Sequence, residues 1–126
     1  MQEGLNRCNR YLHAWLAVAE PTTGLIPRNL TDSPYWNGKD SAADNYPFMV
    51  LTAAMTDRPL LDGRLLDILR AETRLTSRLG RLPDDYSFSK QGWRRETFNL
   101  DEVIFDGAEY VKDGLLPITE WLGQSP

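Results

Sequence analysis

Side chains capable of acid and base chemistry are concentrated where a polar loop of this 126-residue chain leads into a helix. Asp40 and Asp44 are four positions apart, so both lie on one face of a helix that begins at Ser41. Such a pair could supply the general acid and general base that glycoside hydrolysis requires. Alternatively, Asp40 is the N-cap of the helix, and Asp44 complements the helix dipole from the first turn.

Aromatic, amide and cationic side chains surround this pair and recur in a second long loop. An indole face is a good platform for a sugar ring, although Trp36 and Trp93 could instead pin their loops onto the helices beneath. Cations beside them could bind an acidic substrate, or they could be solvated surface charges. The predicted substrate-binding residues are Tyr35, Trp36, Asn37, Lys39, Trp93 and Arg94.

Acidic side chains also recur at helical spacing near the C-terminus. Carboxylates on an otherwise apolar helix could line a cleft, which makes Glu109 the third catalytic candidate, with Asp106 beside it. Alternatively, these acids form the solvent face of the helix, with Lys112 in local ion pairs. The acidic positions are Glu102, Asp106, Glu109, Asp113 and Glu120.

Composition excludes several classes of function. A net charge of −4 and a pI near 4.9 argue against a nucleic-acid or anionic-membrane surface, which needs a basic face. Cys8 and His13 are the lone cysteine and histidine, so no internal disulfide, metal site or cofactor is predicted. No apolar run is long enough to span a membrane. The N-terminus lacks a signal peptide, so a native N-terminus would indicate the cytoplasm; otherwise localisation is open.

Four helical segments are predicted to position these residues, and they are alternately amphipathic and apolar. The second segment is apolar on all sides, which predicts a buried helix. Gly80 and Gly123 are the predicted stops of the third and fourth segments. The segments run over residues 5–19, 41–56, 59–79 and 101–122.

Two long loops precede the apolar helices, whereas a short turn joins the second helix to the third. Loops of about 20 residues in a compact domain are commonly functional when they are ordered. Gly24-Leu25-Ile26-Pro27 in the first loop resembles Gly80-Arg81-Leu82-Pro83 in the second, which favours a repeat of two helical hairpins. We therefore predict a single all-α domain over residues 1–126, with antiparallel hairpins at about 5–57 and 59–123.

The order of these elements is similar to that of a known superfamily. An outer helix, a loop with Gly-Leu-Ile-Pro, then Trp36 and Asp40-Ser41-Ala42-Ala43-Asp44 resemble the α/α-toroid glycosidases, which contain six helical hairpins. The segment 109–116 also resembles an inner helix of that architecture. The resemblance implies a partial toroid, or otherwise an α-solenoid, whose substrate cleft is formed by the loops before the inner helices. Two hairpins do not complete such a ring, so the resemblance also implies a fragment of a longer chain or a homo-oligomer.

Two functions of different classes follow from these observations. The first is a carbohydrate-active protein, part of a glycoside hydrolase that binds an oligosaccharide or polysaccharide at the two loops. The second is a non-catalytic helical-repeat module that binds a protein partner through the same loops. An exposed apolar flank would favour association in either case.

Overall fold

Four helical segments make up most of the protein in a computed structural model that describes residues 2–28, 35–97 and 99–123. The first segment is α1 (Gln2–Ala17). The second is a π-helical turn (Gly38–Ala43) followed by α2 (Tyr46–Thr56). The third comprises α3 (Arg58–Leu60), a π-helical turn (Leu61–Leu65) and α4 (Leu66–Thr76). The fourth comprises α5 (Leu100–Glu109), a π-helical turn (Tyr110–Leu115) and α6 (Leu116–Leu122).

Among the described residues, two small antiparallel sheets connect these helices, and they were not predicted. The strands are β1 (Tyr35–Trp36), β2 (Ser77–Leu79), β3 (Leu82–Pro83), β4 (Tyr86–Ser87) and β5 (Gly92–Trp93). One sheet has the strand order β1–β4–β5, and the other is a hairpin of β2 and β3. The prediction of a mostly helical protein is confirmed, but the described helices alone show neither a toroid nor a solenoid.

The predicted boundary of the third helix is wrong by three residues. The hydroxyls of Thr76 and Ser77 donate to the carbonyls of Glu72 and Thr73, and the chain then turns into β2. Gly80 has a φ of 58° in the β2–β3 turn, so it shapes a hairpin rather than ending the helix. The predicted stop of the fourth helix is confirmed, because Gly123 follows Leu122 in the left-handed conformation.

The prediction that the second helix is buried on every side is also wrong. α2 packs against α1 and α6, and also against α3 and the three π-helical turns. Leu51 and Met55, one turn apart, remain 40% and 58% exposed. This flank is apolar because the composition of α2 is apolar throughout, yet none of the described residues covers it.

Three buried aromatic rings form the centre of the core. Trp36, Tyr46 and Tyr110 are almost completely buried, and Trp36 and Tyr46 both meet the Tyr110 ring at steep angles, with centroids 6.1 and 6.3 Å away. Such edge-to-face contacts are worth about 0.5–1.5 kcal/mol beyond the burial itself. The indole nitrogen Nε1 of Trp36 donates to the hydroxyl of Tyr46 at 3.0 Å, which satisfies a buried donor.

A buried carboxylate, that of Glu72, lies beside these rings. It accepts hydrogen bonds from the hydroxyls of Thr76 at 2.7 Å and Tyr110 at 2.8 Å. Both terminal nitrogens of Arg81 also donate to it, at 3.2 and 2.9 Å. Burial, followed by the negative charge of Glu72, raises the pKa of Tyr110 well above its ordinary value, so this phenol stays a neutral donor. The network joins α4, the β2–β3 hairpin and the π-helical turn after α5.

Removal of this carboxylate should destabilise the protein strongly. In Glu72→Ala, Arg81 and Tyr110 lose their shared acceptor, and we expect a loss of about 3 kcal/mol, because Arg81 keeps some hydration. Tyr110→Phe should cost about 1.5–3 kcal/mol, since it removes one hydrogen bond to a charged acceptor. Urea unfolding measures both losses, and Asp67→Ala, which removes an exposed acid of α4, is the matched control. Equal, small losses in Glu72→Ala and Asp67→Ala would contradict this role.

Candidate functional site

The two long loops meet in the three-stranded sheet. Tyr35 and Trp36 of β1 pair with Ser87 and Tyr86 of β4, and β4 in turn pairs with β5. Strand pairing therefore brings a segment of the first loop beside the second, although the two are about 50 residues apart in sequence. The side chains at the open edges of these loops form one rim.

Trp36 lies in the core and presents no indole face to solvent. Its side chain is fully buried and hydrogen-bonded to Tyr46. The prediction that Trp36 is a platform for a sugar ring is therefore wrong. Its burial and its hydrogen bond to Tyr46 agree with the alternative, in which Trp36 pins its loop onto the helices. Loss of ligand binding in a Trp36→Ala variant would report unfolding rather than a lost contact.

Asn37, not Asp40, caps the helix at this point. The Asn37 side-chain oxygen accepts from the backbone N–H groups of Asp40 at 2.8 Å and Ser41 at 2.9 Å. Its amide nitrogen donates to the Asp40 carboxylate at 3.0 Å. Asn37 is almost completely buried, so its main role is this cap. Since Asn37 satisfies the helix N-terminus, the Asp40 carboxylate is available to face the loop.

Two arginines stack on the ring of Tyr35. The guanidinium carbons of Arg28 and Arg94 lie 5.5 and 4.2 Å from the ring centroid, within cation–π range. Arg28 also forms an ion pair with Asp40 at 3.5 Å, and Arg94 forms one with Asp85 at 2.8 Å. These contacts fix four charged groups around one aromatic ring and set their donors and acceptors in place.

Two cavities lie beside this cluster and share Arg28 and Asp40 in their linings, so we treat them as two compartments of one groove. The aromatic compartment has a volume of about 460 Å³, and the polar compartment about 320 Å³. The aromatic compartment is lined by Tyr11, Trp15, Arg28, Asp40, Asp44 and Asn45. The polar compartment is lined by Arg28, Tyr35, Asn37, Lys39, Asp40, Asp85, Arg94, Arg95, Glu102, Phe105 and Asp106.

Asp106 has the most strongly perturbed carboxyl group in the groove. Burial, followed by the negative charge of Asp85, raises its pKa to about 6, and Lys39 only partly opposes this. Within the described residues its carboxylate forms no hydrogen bond or ion pair. Asp40, by contrast, is paired with Arg28 and accepts from Asn37. The groove thus contains one carboxyl group that is ion-paired and one that has no hydrogen-bond or ion-pair partner among the described residues.

The other predicted catalytic residues lie around the edge of this arrangement. Asp44 lines the aromatic compartment, and burial together with the charge of Asp40 raises its pKa. Glu109 is half-buried and lines neither compartment, although its charge contributes to the raised pKa values of Asp44 and Asp106. The acidic stripe of the fourth helix faces the groove only at its N-terminal end, through Glu102 and Asp106.

The remaining predicted binding residues divide between the groove and its surroundings. Tyr35, Asn37, Lys39 and Arg94 line the polar compartment. Trp93 lies in β5 outside both compartments, with the guanidinium of Arg78 at 5.0 Å from its ring centroid. Several groove residues were not predicted from the sequence. They include Tyr11 and Trp15 of α1, Arg28 and Asp85 of the two long loops, and Phe105 of α5.

Neither a metal nor a membrane is indicated by the part of the chain that the structure describes. Residues 2–28, 35–97 and 99–123 contain no group of three or more histidine, cysteine, aspartate or glutamate side chains arranged as metal ligands would be. No helix within these same ranges is both long enough and apolar enough to cross a bilayer.

The fold and the groove have no counterpart in the comparisons with known proteins. No protein-family model, no curated protein and no solved structure matches this chain. The function must therefore be argued from the groove itself.

Protonation of Asp106 should appear in the pH dependence of stability. Its folded-state pKa of about 6 lies above the ordinary value of 3.8, so between these values the folded protein binds more protons than the unfolded chain. The contribution of Asp106 to the free energy of unfolding should therefore fall as pH rises from about 4 to about 6. Asp106→Asn should flatten that fall, and NMR of the carboxyl carbon should show a midpoint near 6. Asp101→Asn, an exposed site on the same helix, is the control; an unchanged slope in Asp106→Asn would contradict the assignment.

Proposed function

We propose that this protein is carbohydrate-active and that its groove binds an oligosaccharide. The proposal rests on one observation: aromatic rings and paired planar polar groups line a single groove. Tyr11 and Trp15 offer ring faces and edges to the C–H surface of a sugar. The fixed guanidinium and carboxylate groups at Arg28 and Asp40 offer donors and acceptors to adjacent hydroxyls.

The charge balance of the polar compartment favours a ligand rich in hydroxyls over a strongly charged one. Its lining contains four cationic and four acidic side chains. A site for an anion would have an excess of cations, whereas hydroxyl groups need both donors and acceptors. The cationic side chains are Arg28, Lys39, Arg94 and Arg95, and the acidic ones are Asp40, Asp85, Glu102 and Asp106.

Glycoside hydrolysis is the reaction that these groups support best. Asp106, whose proton is held by burial, donates it to the leaving glycosidic oxygen. Asp40, whose charge is stabilised by Arg28, accepts a proton from the water that attacks the anomeric carbon. Asp44 and Glu109 shape the electrostatic field around this pair. In this proposal Asp106 replaces Asp44 as the partner of Asp40.

The proposed architecture is a partial α/α toroid whose cleft lies at the loops before the inner helices. The order of helical segments and long loops supports it, as does the position of the groove at the start of the second segment. The glycines of the two Gly-x-x-Pro segments, Gly24 and Gly80, both have positive φ angles, which supports a repeat.

A second candidate function, a helical module that binds a protein, is favoured by an apolar stripe on the fourth segment. Leu100 and Ile104 are exposed one turn apart on α5, and Ala108 continues the same face. The stripe lies on one side of the buried positions Val103 and Gly107, and the acids lie on the other. An exposed apolar surface of this kind can be an interaction site.

Ligand titration tests the proposed function directly. Neutral gluco-, manno- and xylo-oligosaccharides should be titrated by calorimetry or NMR, and at least one should bind. Tyr35→Ala removes the ring on which Arg28 and Arg94 stack, so it should weaken binding at least tenfold, about 1.4 kcal/mol. Trp121→Ala, an exposed aromatic of α6 outside the groove, is the matched control and should bind normally.

The same experiment separates the two candidates. Absence of binding to any oligosaccharide, together with a protein partner that is lost in Ile104→Asp, would favour the interaction module. Thermal unfolding of each variant shows whether it is folded, so that a loss of binding can be distinguished from a loss of structure.

A further inference from the structure

Two further cavities, of about 410 and 180 Å³, lie along α1 and share lining residues with the aromatic compartment. We refer to them together as the apolar arm. The first is lined by Arg7, Cys8, Tyr11, Asp44 and Phe48, and the second by Tyr11, Ala14, Trp15 and Val18. The lining residues of α1, and Val18 just after its end, recur at spacings of three and four, so they belong to one face. This face remains open, with Tyr11 48% and Val18 41% exposed.

Tyr11 connects the arm to the rest of the groove, because it lines the aromatic compartment and both cavities of the arm. Its ring meets Phe48 edge-on, with centroids 5.2 Å apart at 86°, and Trp15 at 6.2 Å and 68°. Contacts on two sides hold the ring in place, so a ligand that passes it meets a fixed aromatic wall. Trp15 and Asp44 also line both the compartment and the arm.

The arm has few groups that could replace the hydration of a sugar. Its charged side chains are Arg7 and Asp44, and Arg7 already donates to Glu3 at 2.8 Å. Sugar hydroxyls placed there would lose water without gaining partners, which is unfavourable. An apolar group would instead exchange water for the surfaces of Tyr11, Phe48 and Val18.

The lining changes from charged side chains in the polar compartment to mainly apolar ones in the arm. From this change, we propose that the ligand is a glycoside with an apolar aglycone. The sugar lies at Arg28 and Asp40, and the aglycone passes Tyr11 into the apolar arm. This inference rests on the proposed carbohydrate function, because it assigns the sugar to the same compartments. It adds the chemical class of the leaving group, which the polar compartment alone does not define.

Matched glycosides test the inference. Phenyl and methyl glycosides of glucose, galactose, mannose and xylose differ only in the aglycone, and binding is measured by NMR while the spectrum confirms that each glycoside is intact. For the sugar that binds, the phenyl glycoside should bind at least tenfold more tightly than the methyl glycoside. Tyr11→Ala and Val18→Asp should each lower this phenyl-to-methyl ratio at least fivefold, whereas Trp121→Ala should keep it.

The outcomes distinguish this inference from the proposed function. Equal affinities for phenyl and methyl glycosides would overturn the inference and leave the carbohydrate function in place. Absence of binding to every glycoside and oligosaccharide would overturn both. A phenyl preference that persists in Tyr11→Ala and Val18→Asp would place the aglycone elsewhere and overturn the assignment of the arm.

Discussion

The need to neutralise one buried carboxylate, that of Glu72, constrains the whole structure. Taking a charge out of water is costly, so its partners must be held in place together. They come from three elements: Thr76 on the same helix, Arg81 in the β2–β3 hairpin and Tyr110 after α5. Tyr110 in turn provides the ring against which Trp36 and Tyr46 pack. The position of the first long loop therefore depends on a charge that lies in the third helical segment.

This dependence explains how a small protein keeps two long loops in a defined arrangement. Trp36 pins β1 to the core, and strand pairing then positions Tyr35 beside the second loop. Arg28 and Arg94 stack on the Tyr35 ring, and their ion pairs hold Asp40 and Asp85 beside it. The Tyr35 ring, its two arginines and their acidic partners are thus each held by a contact to another ordered group, a requirement for sites that act by positioned polar groups.

The sequence was sufficient to predict the helices, because apolar spacing is a strong signal over ten or more residues. It also indicated the two loops that contribute Tyr35, Lys39, Asp40 and Arg94, all of which line the groove. Strands of two or three residues have no periodicity to detect, so both sheets were missed. The burial of Trp36 was not predictable from its polar neighbours, since it depends on Tyr46 and Tyr110. The groove residues Tyr11, Arg28 and Asp85 come from elements that only tertiary packing brings together.

In the proposed function, one groove extends across the Arg28–Asp40 ion pair and accepts a sugar. Intermolecular NOEs between a bound oligosaccharide and side-chain protons test this most directly. We expect NOEs from one ligand to the rings of both Tyr11, in the aromatic compartment, and Tyr35, in the polar compartment. NOEs confined to the apolar stripe at Leu100 and Ile104, or none to either tyrosine, would contradict it.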